Sequence, residues 1–136
     1  MFGFCVLKHV FLKQFMNTKT LQQLITTDPD RVLVIDVRER DEIAEVPLFP
    51  AGTAYYAEFP LSVLRMLPRT ELVSRLHEKV LEKGRDRETV ILVLSCRSGG
   101  RSCQAQTLLA DAGIVTESLD GGVLGWQEEK ENETAH

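Results

Sequence analysis

The sequence predicts an α/β protein organised on a parallel sheet. Two runs carry that prediction. Residues 32–37, VLVIDV, and 89–95, TVILVLS, are apolar with no polar alternation, the pattern of strands buried on both faces. Segments with helical spacing separate and follow them, and strands alternating with helices imply crossover connections. At 136 residues and 43% hydrophobic content, the chain forms one domain around one sizeable core.

The elements follow in order. Residues 18–27, TKTLQQLITT, spell a short helix. Leu21, Leu24 and Ile25 share a face, Thr20 and Gln23 suit a capping box, and Asp28-Pro29 ends it. The strand 32–37 exits into Arg38-Glu39-Arg40-Asp41-Glu42, a charged stretch that reads as a helical turn. Residues 46–54, VPLFPAGTA, form a Pro/Gly loop, and 55–59, YYAEF, a short strand before Pro60. The longest helix is expected over 70–83, where Leu72, Val73, Leu76, Val80 and Leu81 recur at helical spacing between an N-cap at Thr70 and a stop at Gly84. After the strand 89–95 come a helix over 102–112 ended by Gly113, and a last strand over 114–119. Asp120-Gly121-Gly122 turns the chain, and VLGW, 123–126, packs back with Trp126 as a core anchor. The charged end, EEKENETAH over 128–136, is expected to be disordered.

Composition narrows the function. A net charge of −4 leaves no nucleic-acid footprint, so any positive field is local. Cys5, Cys96 and Cys103 are too few for a disulfide framework and point to a reducing, cytoplasmic setting. His9, His77 and His136 stand apart, no Cys/His spacing suits a metal, and His77 lies on the long helix without an evident partner. The apolar start, MFGFCVLKHVFLKQF, is broken by Lys8, His9 and Lys13. It falls short of the roughly 20 apolar residues of a spanning helix and of the rules for a signal peptide. Residues 1–16 are read as an apolar extension, either an amphipathic docking element or residues ahead of a second start at Met16, with the folded domain over 17–127.

The stretch LSCRSGGRSC, 94–103, carries the chemistry. In open α/β sheets ligands sit at the carboxyl ends of the strands, and Cys96 stands at such an end, just before a helix. Gly99 and Gly100 permit backbone angles that turn successive N–H groups inward. The helix N-terminus adds unpaired donors, and Arg97 and Arg101 add full charges. A thiol in that field is expected to ionise at neutral pH: free cysteine titrates near ~8.5 and such sites fall to roughly 3.5–7.5. A cysteine ending a buried strand is often only a small hydrophobe, but that role needs neither the glycine pair nor the flanking arginines. Phosphatase-type loops place five residues between cysteine and arginine; here Arg97 to Gly100 are four. The smaller cradle suits one sulfur carried on the cysteine.

With LVIDVRERDE at 33–42, VLSCRSGGRS at 93–102 and LDGGVLGW at 119–126, the chain resembles single-domain rhodaneses over roughly residues 17–127. The resemblance implies a three-layer α/β/α fold with a central five-stranded parallel sheet. It implies a thiosulfate sulfurtransferase that needs no cofactor, in which Cys96 carries a persulfide and Arg97, Ser98, Gly99, Gly100, Arg101 and Ser102 bind the anionic donor. Asp36 and Arg38 would support the loop, Asp36 by way of Arg97. The acceptor would be cyanide or a thiol, on a small molecule or on a partner protein served by a sulfur relay, with neither nucleic acid nor membrane involved. Cys103 is either a resolving thiol or a packed helix residue. The stretch EVPLFPAGTAYYAEFPL, 45–61, departs from the Gly-His-Ile-Pro-Gly-Ala-like segment usual in the family, so acceptor preference is this chain's own.

Overall fold

The computed structural model describes residues 14–134; the expected features of residues 1–13 and of the last two residues lie outside them. Twelve elements follow in order. They are β1 (Gln14–Met16), α1 (Thr18–Thr27), a 3₁₀ turn (Pro29–Arg31), β2 (Val32–Asp36), α2 (Arg40–Glu45), β3 (Tyr56–Glu58), α3 (Leu61–Met66), α4 (Arg69–Glu82), β4 (Ile91–Ser95), α5 (Gly100–Asp111), β5 (Glu117–Leu119) and α6 (Gly122–Thr134). All pairings are parallel, and the sheet order is β1-β5-β4-β2-β3. The two apolar runs form the centre, in register from Val32 opposite Ile91 to Asp36 opposite Ser95. Their carboxyl ends therefore finish together.

Strand alternation sends side chains to two cores. On one face Leu33, Ile35 and Val37 of β2 and its exit pack with Leu92, Leu94 and Cys96, under Leu61 and Leu64 of α3, Leu72, Leu76 and Val80 of α4, and Ala105 and Leu109 of α5. On the other, Val32, Val34 and Val93 pack with Leu21 of α1, Leu48 and Phe49 of the 46–55 loop, and Val123 and Trp126 of α6. Phe49 stands edge-on to Tyr55, Tyr56 and Trp126 at 5.1, 5.6 and 5.2 Å between ring centroids. Among the described residues no helix is long and apolar enough to cross a membrane.

Four local expectations need correction, and one short helix is added. The α1 cap is Asn17, whose Oδ1 accepts the Thr20 N–H at 2.8 Å, because the chain leaves β1 extended at that residue. In the long helix α4 the cap position falls on Pro68 instead of Thr70, and Leu81 is 76% exposed, so the buried face is Leu72, Leu76 and Val80 alone. Residues 61–66 form α3, a six-residue helix too short for a readable period. Gln14–Met16 is an edge strand of the sheet, held by β5, and not part of an extension outside the fold. The segment 122–134 is one helix, in place of a packed VLGW followed by disorder. Val123 and Trp126 anchor it in the core, Lys19 of α1 reaches Glu129 at 3.7 Å, and Lys130 lies over the Trp126 ring.

Arg85 joins three elements below the sheet. It is 8% exposed and donates from Nε to the Val32 carbonyl (3.1 Å), from Nη1 to Lys83 (2.7 Å) and from Nη2 to Pro29 (2.7 Å). Arg85→Met leaves these carbonyls unpaired. A loss of about 2–3 kcal/mol is expected, read as a lower urea midpoint at unchanged m-value.

Candidate active site

The site grows out of the end of β4. Cys96 follows Ser95, is 1% exposed, and points under the start of α5. Its Sγ accepts the N–H of Gly99 at 3.0 Å and that of Ser102 at 3.4 Å, and lies 3.7 Å from Ser102 Oγ. The chain closes this ring around the sulfur by passing Gly99 at φ +117°, a conformation that side chains oppose. The N–H groups of Arg97, Ser98, Gly100 and Arg101 have no acceptor among the described residues. They form an open bowl of donors beside the sulfur.

The other side of the loop is held by α6. Val123 N–H donates to the Cys96 carbonyl at 2.8 Å, and Leu124 N–H to the Arg97 carbonyl at 3.0 Å. In a trans peptide the carbonyl and the following N–H point opposite ways. With both carbonyls turned toward α6, the N–H groups of Arg97 and Ser98 face away from it. This contact explains Gly122, the second glycine of LDGGVLGW. A Cβ on Gly122 would stand 2.8 Å from the Arg97 carbonyl oxygen and closer still to that of Cys96, and the residue has φ +57°.

Charged groups around the loop are largely paired. Arg101 makes a two-pronged bond to Glu42 of α2, Nη1 to Oε1 at 2.5 Å and Nη2 to Oε2 at 2.7 Å. The Arg101 hydrogen bond, helped by the Glu39 N–H and opposed by burial, holds the Glu42 carboxyl at about 2, against 4.5 for an unpaired glutamate. The same bond raises Arg101 above its ordinary value. At the end of β2, Asp36 is fully buried. It accepts from Arg38 Nε (3.0 Å), Nη2 (2.8 Å) and backbone N–H (3.1 Å), and from the Tyr56 hydroxyl (2.7 Å). Arg38 Nη1 reaches the Val46 carbonyl at 2.7 Å. Burial works against the Arg38 charge, but the Asp36 bonds outweigh it and raise its pKa. Burial, then the Asp36 charge, pushes the Tyr56 hydroxyl well above the usual range, so it stays a donor.

The cradle residues expected from the sequence come together, with two differences. Asp36 braces the 46–56 segment through Arg38 and Tyr56 and makes no bond to Arg97, because its carboxylate is already taken up by Arg38 and Tyr56. Arg101 is committed to Glu42, which leaves Arg97 as the loop guanidinium without a partner among the described residues. Glu42 and Tyr56 were not singled out as site residues. Glu42 lies 59 residues from Arg101 and Tyr56 lies 20 from Asp36, separations at which no local pattern announces a bond. Cys103 is a free thiol whose Sγ lies 3.9 Å from Ser118 Oγ. His77 faces Arg87 on the far side of α4.

The chain matches the profile of the rhodanese-like domain over residues 17–129. The Bacillus subtilis (strain 168) protein named "Putative sulfurtransferase YtwF" is 28% identical over 114 residues, 84% of this chain and 90% of that protein. Among solved structures, the single-domain sulfurtransferase RDL2 of Saccharomyces cerevisiae matches with a TM-score of 0.60 at 17% identity, over 88% of this chain and 93% of its own. A Rhodopseudomonas palustris protein of unknown function, described as a possible tyrosine phosphatase, matches at 0.67 and 18%, over 87% and 82%. These two structural likenesses are likenesses of fold.

Two outcomes test the geometry. Gly122→Ala forces the loop off α6; a fall in melting temperature worth more than about 2 kcal/mol is expected, with a faster exchange of the Val123 and Leu124 amides. The Glu42 carboxyl, depressed in the folded state, adds stability that is present above its ordinary 4.5 and lost as pH falls through about 2. In a stability-versus-pH series by chemical denaturation, Glu42→Gln should flatten the slope in that window.

Proposed function

The chain belongs to the rhodanese-like domain family, and we propose that it is a sulfurtransferase carrying sulfane sulfur as a persulfide on Cys96. The observation that supports this reading is the donor bowl: N–H groups of Gly99 and Ser102 on the sulfur, and free N–H groups on Arg97, Ser98, Gly100 and Arg101 beside it. A second sulfur, bearing the negative charge, fits among those free donors.

The chemistry is a double displacement. The Cys96 thiolate attacks the outer sulfur of thiosulfate or a similar donor. The donor's S–S bond breaks, sulfite leaves with the electron pair, and Cys96–S–S⁻ remains. A nucleophilic acceptor, cyanide or a thiolate, then attacks the outer sulfur, and the Cys96 thiolate departs. No proton moves in either step, so no general base is needed. Arg97 draws in the dianionic donor, and Arg101, held by Glu42, fixes the first turn of α5 and so the positions of its N–H groups. A cytoplasmic, reducing setting suits a reaction that needs Cys96 unpaired.

The tyrosine phosphatase description of one structural neighbour belongs to that protein. Here four residues between Cys96 and Arg101, with the Arg101 guanidinium engaged by Glu42, leave a cradle smaller than a phosphoryl group needs.

Intact mass after incubation with thiosulfate tests the assignment. A gain of about one sulfur atom, roughly 32 Da, removed by cyanide and absent in Cys96→Ala, is expected. Undiminished turnover in Cys96→Ser would overturn it.

A further inference from the structure

Ser102 has one hydroxyl proton and two lone pairs beside the Cys96 sulfur. Its Oγ donates to the Gly99 carbonyl at 3.0 Å, and Ser118 Oγ of β5 lies 2.7 Å away. With its proton on Gly99, Ser102 must accept from Ser118, and its remaining lone pair faces Cys96 Sγ at 3.7 Å. In this arrangement the Cys96 S–H donates to Ser102. The Gly99 carbonyl also takes the Cys103 N–H at 3.2 Å. It therefore stays satisfied if the Ser102 proton turns to the sulfur, as an anionic sulfur demands. Ser118 donates to Ser102 in both states. A hydroxyl that is itself receiving a hydrogen bond donates more strongly, and the gain is larger toward a charge. Both serines are buried, at 0% and 1% exposure, so water does not replace either one.

We propose that Ser118 is a positioning residue for sulfur transfer: its hydroxyl polarises Ser102 and thereby favours the anionic form of the Cys96 sulfur. The proposal rests on the reading of Cys96 as the sulfur carrier. Ser118 acts through Ser102; among the described residues its hydroxyl's one other close polar partner is Cys103 Sγ. The charged and titratable side chains on the elements around the loop include Arg97, Arg101 and Cys103, Glu39 to Glu42 at the start of α2, the Asp36–Arg38 pair, Arg65 on α3, Glu117 of β5 and Asp120 after it. A neutral substitution at Ser118 changes none of them.

The test is alkylation of Cys96 by iodoacetamide over roughly pH 5 to 9, followed on the Cys96 peptide by mass spectrometry so that other thiols do not interfere. Ser118→Ala is expected to move the half-maximal pH upward. Alkylation at neutral pH should slow roughly three- to ten-fold, with the plateau rate at high pH unchanged. Ser118→Thr, which keeps the hydroxyl, is expected to restore the profile. An unchanged midpoint in folded Ser118→Ala, an equal loss at every pH, or no restoration by threonine would each overturn the proposal. If Ser118→Ala does not fold, Ser118→Cys, close in volume and a weak donor, must show the same shift; a wild-type profile there overturns it. No sulfur donor enters this experiment, so a shifted profile without persulfide formation would count against sulfur transfer and leave the role of Ser118 standing.

Discussion

The site depends on two hydrogen bonds from α6, those of Val123 and Leu124 to the carbonyls of Cys96 and Arg97. Peptide planarity converts them into the orientation of the next two N–H groups, those of Arg97 and Ser98, which face away from α6. They also dispose of two N–H groups that every helix N-terminus leaves without a partner. The positive ends of α5 and α6 thus converge on the same few residues, one on the sulfur side and one on the carbonyl side. A favourable field for an anion follows from backbone alone.

Around that backbone the ionic side chains mostly neutralise one another. Two arginines near the loop are held by carboxylates, Arg38 by Asp36 and Arg101 by Glu42. A fully buried pair such as Asp36–Arg38 is weak evidence for stability, because desolvation opposes the attraction. Its geometry instead fixes placement. Asp36 saturates its acceptors on Arg38 and Tyr56, and Arg38 reaches on to Val46. The 46–56 segment is thereby tied at both ends to the exit of β2.

What the sequence made readable was what is local. Unbroken apolar runs announced β2 and β4, and the cysteine loop announced itself because its sulfur, glycines and arginines are contiguous. What it hid was set by distance or by brevity. Among the described residues β1 is held by pairing with β5 alone, from Gln14 opposite Glu117 to Met16 opposite Leu119. The helix α6 has little amphipathic signal and begins with glycines, so it read as a turn and a tail; its core anchors Val123 and Trp126 and its bonds to the loop make it a helix. The Glu42 clamp, the Tyr56 bond and the Ser102–Ser118 pair join residues from separate elements, and only the closed sheet brings them together.

The sheet order has a bearing on how the protein is made. During synthesis β1 appears long before β5, its one partner among the described residues, since it must wait for Glu117–Leu119. The cysteine loop waits longer still, until Val123 and Leu124 have emerged to take its carbonyls. A nascent chain that holds β2, β4 and Cys96 therefore carries a thiol without its completed cradle. Strand pairings this far apart in sequence also fold slowly. Completion of the reactive centre is coupled to completion of the chain, so a released but truncated product keeps the thiol and lacks the donors that hold its sulfur as an anion.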